Sequence, residues 1–199
     1  MSDTEATPSP SGADPRPGFF RAAALAGETI AAVRLDQYGA ASPCPDFDAE
    51  QLARHLIAVL RRVAVSGGGG HPFSVDSFAD VPAGEWTKAW QEATAEAEAV
   101  WSDPAILGRT CELGFVTLPG AAAIVVYTTE ISLHTWDLAR ATGQEPAWDD
   151  AALAPSVAAM RFAVPAEPRG GPVPFGPVVE VPDDAPLIDR LAGWYGRQP

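Results

Sequence analysis

The chain has 199 residues, 47% of them hydrophobic, which suffices for one substantial core but not for two. Its formal net charge of −13 argues against DNA, RNA or an anionic membrane as a partner, because those surfaces require clustered lysine and arginine. Lys88 is its single lysine, and the many alanines, glycines and prolines indicate a GC-rich coding genome.

The two cysteines and the N-terminal residues indicate the compartment. Cys44 and Cys111 lack the CxxC spacing of a zinc knuckle, and a single pair does not form a disulfide scaffold. The first residues lack the basic start and apolar run of a signal peptide, and no segment reaches the ~20 uninterrupted apolar residues of a membrane span. We therefore expect a cytoplasmic protein with reduced cysteines.

The N-terminal part predicts a tail followed by two helices. Residues 1–18 are rich in Ser, Thr, Pro, Gly and Asp, which predicts a disordered tail, and residues 19–199 are expected to form one domain. Apolar residues at helical spacing predict a first helix over 19–38. Asp48 and Gln51 match a capping box and predict a second helix over 49–65. On that helix, His55 lies at the margin of the apolar stripe.

The middle of the chain predicts a third helix and a short hairpin or crossover. The glycine run at 66–70 is typical of a flexible connection, so His71 after it is expected to be exposed rather than a ligand. Helical spacing over 83–101 turns three tryptophans inward: Trp86, Trp90 and Trp101. Residues 103–118 mix short apolar runs with glycines and predict either a hairpin or an extended crossover.

The stretch from Pro119 to Gly143 predicts the central helix, with Gly143 as its C-cap. Three polar residues lie within its apolar arc, namely Glu130, His134 and Asp137. A lone charge there would cost several kcal/mol of desolvation, so these side chains need compensation. The opposite side carries Thr128, Ser132 and Thr135.

The remaining pattern predicts a helix over 149–163 and a C-terminal helical tail. Leu153, Val157, Met160 and Phe162 are its expected inward residues, and Pro165 ends it. Asp184 is the expected cap of the last helix, with Pro186 in its first turn. The sequence therefore predicts an all-α fold.

Glu130 and His134 are four residues apart, so both side chains leave the same face of one helix. The E-x-x-x-H pattern is weak alone, and its position in an apolar arc strengthens it. Together with His55 it forms a two-histidine, one-carboxylate set from two helices. That set suits zinc, nickel, iron or manganese and leaves coordination positions open, as catalytic sites do. The alternative is a buried hydrogen-bonded pair of Glu130 and His134 without His55.

Two segments resemble the DinB-like superfamily, in the branch that contains the N-terminal domain of mycothiol-dependent maleylpyruvate isomerase and uncharacterised actinobacterial metal-binding proteins. They are CPDFDAEQLARHL at 44–56 and EISLHTWDLARATGQ at 130–144, and the ending from residue 175 is similar to the tail of that subgroup. The resemblance spans 19–199. It implies an antiparallel four-helix bundle that holds a divalent metal, zinc or nickel, through His55, Glu130 and His134. Asp137 would either accept a hydrogen bond from a ligand imidazole or position nearby backbone.

The resemblance also implies a reaction. In thiol-transferring members the metal binds the sulfur of mycothiol or a similar low-molecular-weight thiol and keeps it deprotonated, so that it attacks a small electrophile. The GC-rich composition is compatible with an actinobacterial host that makes mycothiol. A thiol S-transferase or isomerase is therefore expected, and a homodimer is compatible with the sequence. The alternative is a non-catalytic metal-binding stress or interaction protein.

The chain departs from the characterised isomerase at its C-terminus. That enzyme carries an additional C-terminal domain, where this chain has only a loop and a terminal helix. Its substrate specificity therefore does not carry over, and no catalytic residue is assigned. Arg54 and Arg140 adjoin the two motifs but are predicted to face outward, so neither is assigned as an anchor for a thiol ligand.

Overall fold

Helices account for most of the chain in this computed structural model, which describes residues 13–82, 84–171, 173 and 175–199. Within those residues the α-helices are α1 (Arg16–Ala31), α2 (Ala49–Gly67), α3 (Trp86–Trp101), α4 (Gly120–Thr142), α5 (Asp150–Ala163) and α6 (Leu187–Trp194). Strands β1 (Thr110–Glu112) and β2 (Thr117–Pro119) form an antiparallel hairpin. The mostly helical fold that the sequence predicts is confirmed, and so is the hairpin.

The first helix begins and ends earlier than its apolar pattern predicts. It starts at Arg16 because Pro17 in the first turn needs no N–H partner, and the Arg16 guanidinium donates to the Trp101 carbonyl at 2.9 Å. The predicted tail boundary at residue 18 is therefore wrong for residues 16–18, while residues 1–12 of that tail lie outside the described residues. A separate 3-10 turn at Leu35–Gln37 occupies the predicted end of the helix.

Local capping sets the start of α2. The Asp48 carboxylate accepts from the Gln51 amide at 2.8 Å, and the Gln51 side chain accepts from the Asp48 amide at 2.9 Å, which confirms the capping box. The predicted start of α3 at residue 83 is too early, because Gly84 has φ +89° and lies outside helical geometry. The Trp101 indole donates to the Val63 carbonyl at 2.9 Å and joins the end of α3 to α2.

Helix α4 lies at the centre of the packing. It contacts α1 and α2 on one side and α5 and α6 on the other, and α3 contacts α1 and α2. As a result Thr128 and Thr135, which lie opposite the apolar arc, are buried as well. Their hydroxyls donate to carbonyls four residues earlier, each at 2.7 Å, so their burial leaves no unpaired hydroxyl on either threonine. Side chains on α4 can therefore face interior sites on either side.

Two C-terminal predictions are wrong. Phe162 is 94% exposed, because it lies two residues beyond Met160 and the helical period turns it away from the core. Asp184 does not cap the last helix, since α6 begins at Leu187 directly after Pro186. No described helix combines the length and the apolar composition that crossing a bilayer requires.

Gly120, at the start of α4, packs too closely for any side chain. Its amide donates to the Arg109 carbonyl at 2.8 Å, and a Cβ at this position would lie 2.1 Å from the Ile106 carbonyl oxygen. We expect Gly120→Ala to lower the free energy of unfolding by about 1–3 kcal/mol in urea denaturation, as overpacking does. Gly39→Ala is the matched control, because a Cβ there meets nothing within 4 Å. Equal stability of the two variants would contradict the expectation.

Candidate metal centre

His55 on α2 and the pair Glu130 and His134 on α4 converge at the surface between these helices. Glu130 Oε1 lies 3.3 Å from His55 Nε2 and 3.5 Å from His134 Nε2. The two imidazole rings stand nearly perpendicular, 86° apart, with centroids separated by 5.0 Å. The one potential ligand atom that each residue offers lies within 4.8 Å of the other two. The structure thus brings together all three residues that the sequence singles out as ligands.

Each histidine is held through Nδ1, which leaves Nε2 directed at Glu130. His55 Nδ1–H donates to the Ser77 carbonyl at 2.8 Å, and His134 Nδ1–H donates to Asp137 Oδ2 at 3.1 Å. A carbonyl or carboxylate acceptor fixes the proton on Nδ1, so that the neutral ring presents a lone pair at Nε2. Asp137 therefore makes the contact with a candidate ligand imidazole that one interpretation of the HTWD segment predicts.

Asp137 is itself held by an arginine from the C-terminus. Its side chain is 0% exposed, and Arg197 donates to both carboxylate oxygens, from Nε at 3.2 Å and from Nη2 at 3.0 Å. Arg197 Nη1 also donates to the Tyr195 carbonyl at 3.2 Å. A chain of contacts therefore runs from the C-terminal segment through Asp137 to His134.

The charges of the site are mutually dependent. Burial opposes ionisation of Glu130, but His134 and His55 outweigh it and hold the pKa of Glu130 well below its usual value. Burial likewise opposes protonation of His134, but the Glu130 and Asp137 carboxylates outweigh it and raise the pKa of His134 to about 9. Without a metal, the site at neutral pH is thus an ionised carboxylate beside a protonated imidazole.

That protonation predicts a pH dependence of metal affinity. His134 must lose its proton before Nε2 can bind a metal, so affinity should rise by about tenfold per pH unit from pH 7 until about pH 9. The ion pair of the metal-free protein should weaken over the same range, because a raised histidine pKa stabilises the fold only while the ring is protonated. Titration calorimetry in buffers of different ionisation enthalpy should detect about one proton released per metal at pH 7. Release of no proton would contradict this expectation.

The donor set fits a divalent transition metal. Bonds of about 2.0–2.1 Å at tetrahedral angles place neighbouring donor atoms about 3.3 Å apart. The distances from Glu130 Oε1 to the Nε2 atoms of His55 and His134, 3.3 and 3.5 Å, match that spacing. A carboxylate with two imidazoles is also the donor chemistry of zinc, nickel and iron sites.

A second group of potential ligands, Cys44 with His134 and Asp137, lies within 4.8 Å but fits a metal poorly. The Arg197 guanidinium already supplies a positive charge to both oxygens of Asp137. Burial raises the pKa of the Cys44 thiol, which favours the neutral form rather than the thiolate that a metal requires. This group is better described as an arginine-neutralised carboxylate next to a buried thiol.

An open cavity of about 330 Å³ adjoins the three candidate ligands. Glu130 contributes to its wall and keeps 41% of its side chain exposed there. Phe47 packs against both imidazoles, with ring centroids 5.0 Å from His55 and 5.8 Å from His134. The rest of the wall comes from the C-terminal segment and the loop before α2, including Phe175, Tyr195, Arg197, Cys44 and Asp46. A small molecule could therefore reach the Nε2 atoms through a partly aromatic cavity.

Sequence reasoning missed the C-terminal residues of the site. Arg197 and Tyr195 lie beyond the last helix, and the sequence offered only their similarity to a family tail as a signal. Phe47 lies within the first family segment but carries no chemical group that marks a site. The expectation that His71 is exposed is confirmed, and its Nε2 lies 3.2 Å from the Glu112 carboxylate, away from the cavity. Cys111 is buried in β1.

Two proteins of Mycobacterium tuberculosis align with nearly the whole chain, the uncharacterized protein Rv0738 of strain H37Rv and the uncharacterized protein MT0763 of strain CDC 1551. Each is 30% identical over 184 residues, which cover 92% of this chain and 98% of the relative. No protein-family profile matches the chain, and no solved structure does. On that identity and coverage, the chain belongs to the family of these mycobacterial proteins.

Proposed function

We propose that this protein is a metal-dependent member of the DinB-like superfamily that activates a low-molecular-weight thiol, such as mycothiol, for transfer to a small electrophile or for its isomerisation. In this proposal α1–α4 are the antiparallel four-helix bundle of that superfamily. The observation that carries it is the convergence of His55, Glu130 and His134 beside an open cavity. The mycobacterial relatives support an actinobacterial setting, in which a thiol of this kind is available.

Zinc is the first candidate ion and nickel the second, with iron or manganese also compatible with two imidazoles and one carboxylate. A bound divalent ion would supply Lewis acidity, which lowers the pKa of a coordinating thiol from about 8.5 and favours its nucleophilic form. Both cysteines are free thiols, which supports a reducing, cytoplasmic location.

The protein's own residues prepare the site for such a ligand. Ser77 and Asp137 fix the two rings through Nδ1, so their Nε2 atoms face the cavity without rearrangement. Phe47 covers the rings and limits the access of water from the side of the first loop. Arg197 neutralises the buried Asp137 carboxylate, which in turn holds His134 in its orientation. No step requires a conformational change of the three candidate ligands.

A non-catalytic role is the alternative, and the placement of the ligands favours it in one respect. His55 belongs to α2, and Glu130 and His134 belong to α4, so an ion held by all three would link the two helices. Metal that binds only the folded state stabilises it by mass action. Both functions therefore predict a lower melting temperature after metal removal, and thiol binding must distinguish between them.

The test uses the full chain loaded with cobalt in place of zinc, because cobalt reports the binding of sulfur in its absorption spectrum. Addition of mycothiol should produce a saturable sulfur-to-metal absorption band, and the zinc-loaded protein should form a thioether with a halobimane. His71→Ala is the control, since His71 lies outside the cavity and should behave as wild type. Stoichiometric metal with neither a thiol-dependent band nor an adduct would reject the enzyme and leave the non-catalytic role.

A further inference from the structure

Three arginines surround one tryptophan at the C-terminal end of the molecule. The guanidinium carbons of Arg161 and Arg169 lie 5.1 and 5.4 Å from the centroid of the Trp194 ring. Arg190 lies four residues before Trp194 on α6, so the two side chains leave the same face of the helix one turn apart. We call these four residues the arginine cluster. None of them lines the cavity of the candidate metal centre.

The arginine cluster contains buried donors that have no acceptor. Nη1 and Nη2 of Arg169, Nε of Arg190 and Nε1 of Trp194 are buried and lack a hydrogen-bond partner among the described residues. In the described parts of the chain six buried side-chain atoms are unpaired in this way, and four of them belong to this cluster. Such donors cost free energy when no acceptor compensates them, and those of charged groups cost most. Their concentration at one place indicates that an acceptor binds between them.

The cluster also lacks negative charge. The Arg190 guanidinium lies 4.0 Å from the carboxylate of Asp183, which is fully exposed, and this is the one ion pair that the described residues give the three arginines. Burial lowers the pKa of Arg169, as expected for a guanidinium removed from water without a carboxylate beside it. In a chain with a net charge of −13, this is an unusual local excess of positive charge.

We propose that the arginine cluster binds the oxyanion group of a small ligand, either a phosphate or a carboxylate. Guanidinium groups bind both through paired N–H donors, and the buried nitrogens of Arg169 offer such a pair. Arg169 also lines a cavity of about 610 Å³ with Glu167, Pro177 and Val178, which has room for the remainder of a ligand. Because Arg161 and Arg169 already lie against the indole ring, recognition depends on the anionic group rather than on stacking with Trp194.

The probes are inorganic phosphate and succinate, added to the metal-loaded full chain at constant ionic strength adjusted with sodium chloride. We expect saturable binding of at least one probe by calorimetry, together with a change in tryptophan fluorescence that Trp194→Phe removes. Arg169→Gln should weaken binding at least tenfold. Arg34→Gln, whose side chain pairs with Asp36 on the surface, should leave it unchanged. Saturation by one probe alone would identify the phosphate or the carboxylate as the preferred group.

Two further variants distinguish binding at the arginine cluster from binding at a metal ion and from loss of folding. His134→Ala removes a candidate metal ligand, and phosphate should still bind with the same affinity if the cluster and not a metal ion holds it. Arg169→Lys keeps the charge but loses the paired donors, so it should bind several-fold more weakly even if Arg169→Gln fails to fold. Absence of saturation by both probes, or equal affinities in wild type and Arg169→Lys, would overturn the proposal.

Discussion

Replacement of His134 by alanine should reduce the metal content of the purified protein from about one equivalent to near zero and raise the metal dissociation constant by more than about 100-fold. The reason is geometric, since His134 supplies one of three converging donor atoms and lies 3.5 Å from the carboxylate of Glu130. The two remaining donors, Glu130 and His55, would form an incomplete site. Elemental analysis after dialysis and competition with a chromophoric chelator would measure the two quantities.

His71→Ala is the matched control for that experiment, because His71 is exposed and contacts Glu112 outside the cavity. It should retain the full equivalent of metal. Circular dichroism should show that both variants remain helical. Unchanged metal content in His134→Ala, or equal losses in both variants, would show that the convergence on α2 and α4 is a hydrogen-bonded cluster rather than a metal site.

Arg197→Met should lower the free energy of unfolding by about 3–5 kcal/mol, as loss of one partner of a buried ion pair does. The variant would leave the carboxylate of Asp137 buried without its two donors from the guanidinium. Because Asp137 orients His134, metal affinity should also fall. Urea denaturation would measure the stability, and chelator competition the affinity.

Two comparisons make the Arg197→Met result specific. Arg21→Met breaks the ion pair with Asp149, which has a shorter distance of 2.6 Å but is exposed, so it should cost less than about 1 kcal/mol. The double variant Arg197→Met with Asp137→Asn should recover part of the lost stability, since it removes the uncompensated charge. Equal effects of the two single variants would show that burial of the Asp137 pair does not matter.

Local signals predicted the elements that local interactions determine. The capping box of Asp48 and Gln51 was visible in the sequence because both hydrogen bonds lie within one turn. Gly143 was visible as the C-cap of α4 because only its own backbone conformation, φ 67°, is involved. The first helix was placed less well, because the Arg16 contacts with the end of α3 depend on residues far along the chain.

The candidate site divides in the same way. The sequence by itself determined that Glu130 and His134 share one face of a helix and that Asp137 lies within reach of His134, because the helical repeat fixes these relations. Only the tertiary structure decided that His55, 75 residues away, comes to 3.3 Å from Glu130. It also decided that Arg197, 60 residues beyond Asp137, neutralises that carboxylate. Contacts within a helix follow from its period, whereas contacts between segments depend on how the whole core packs.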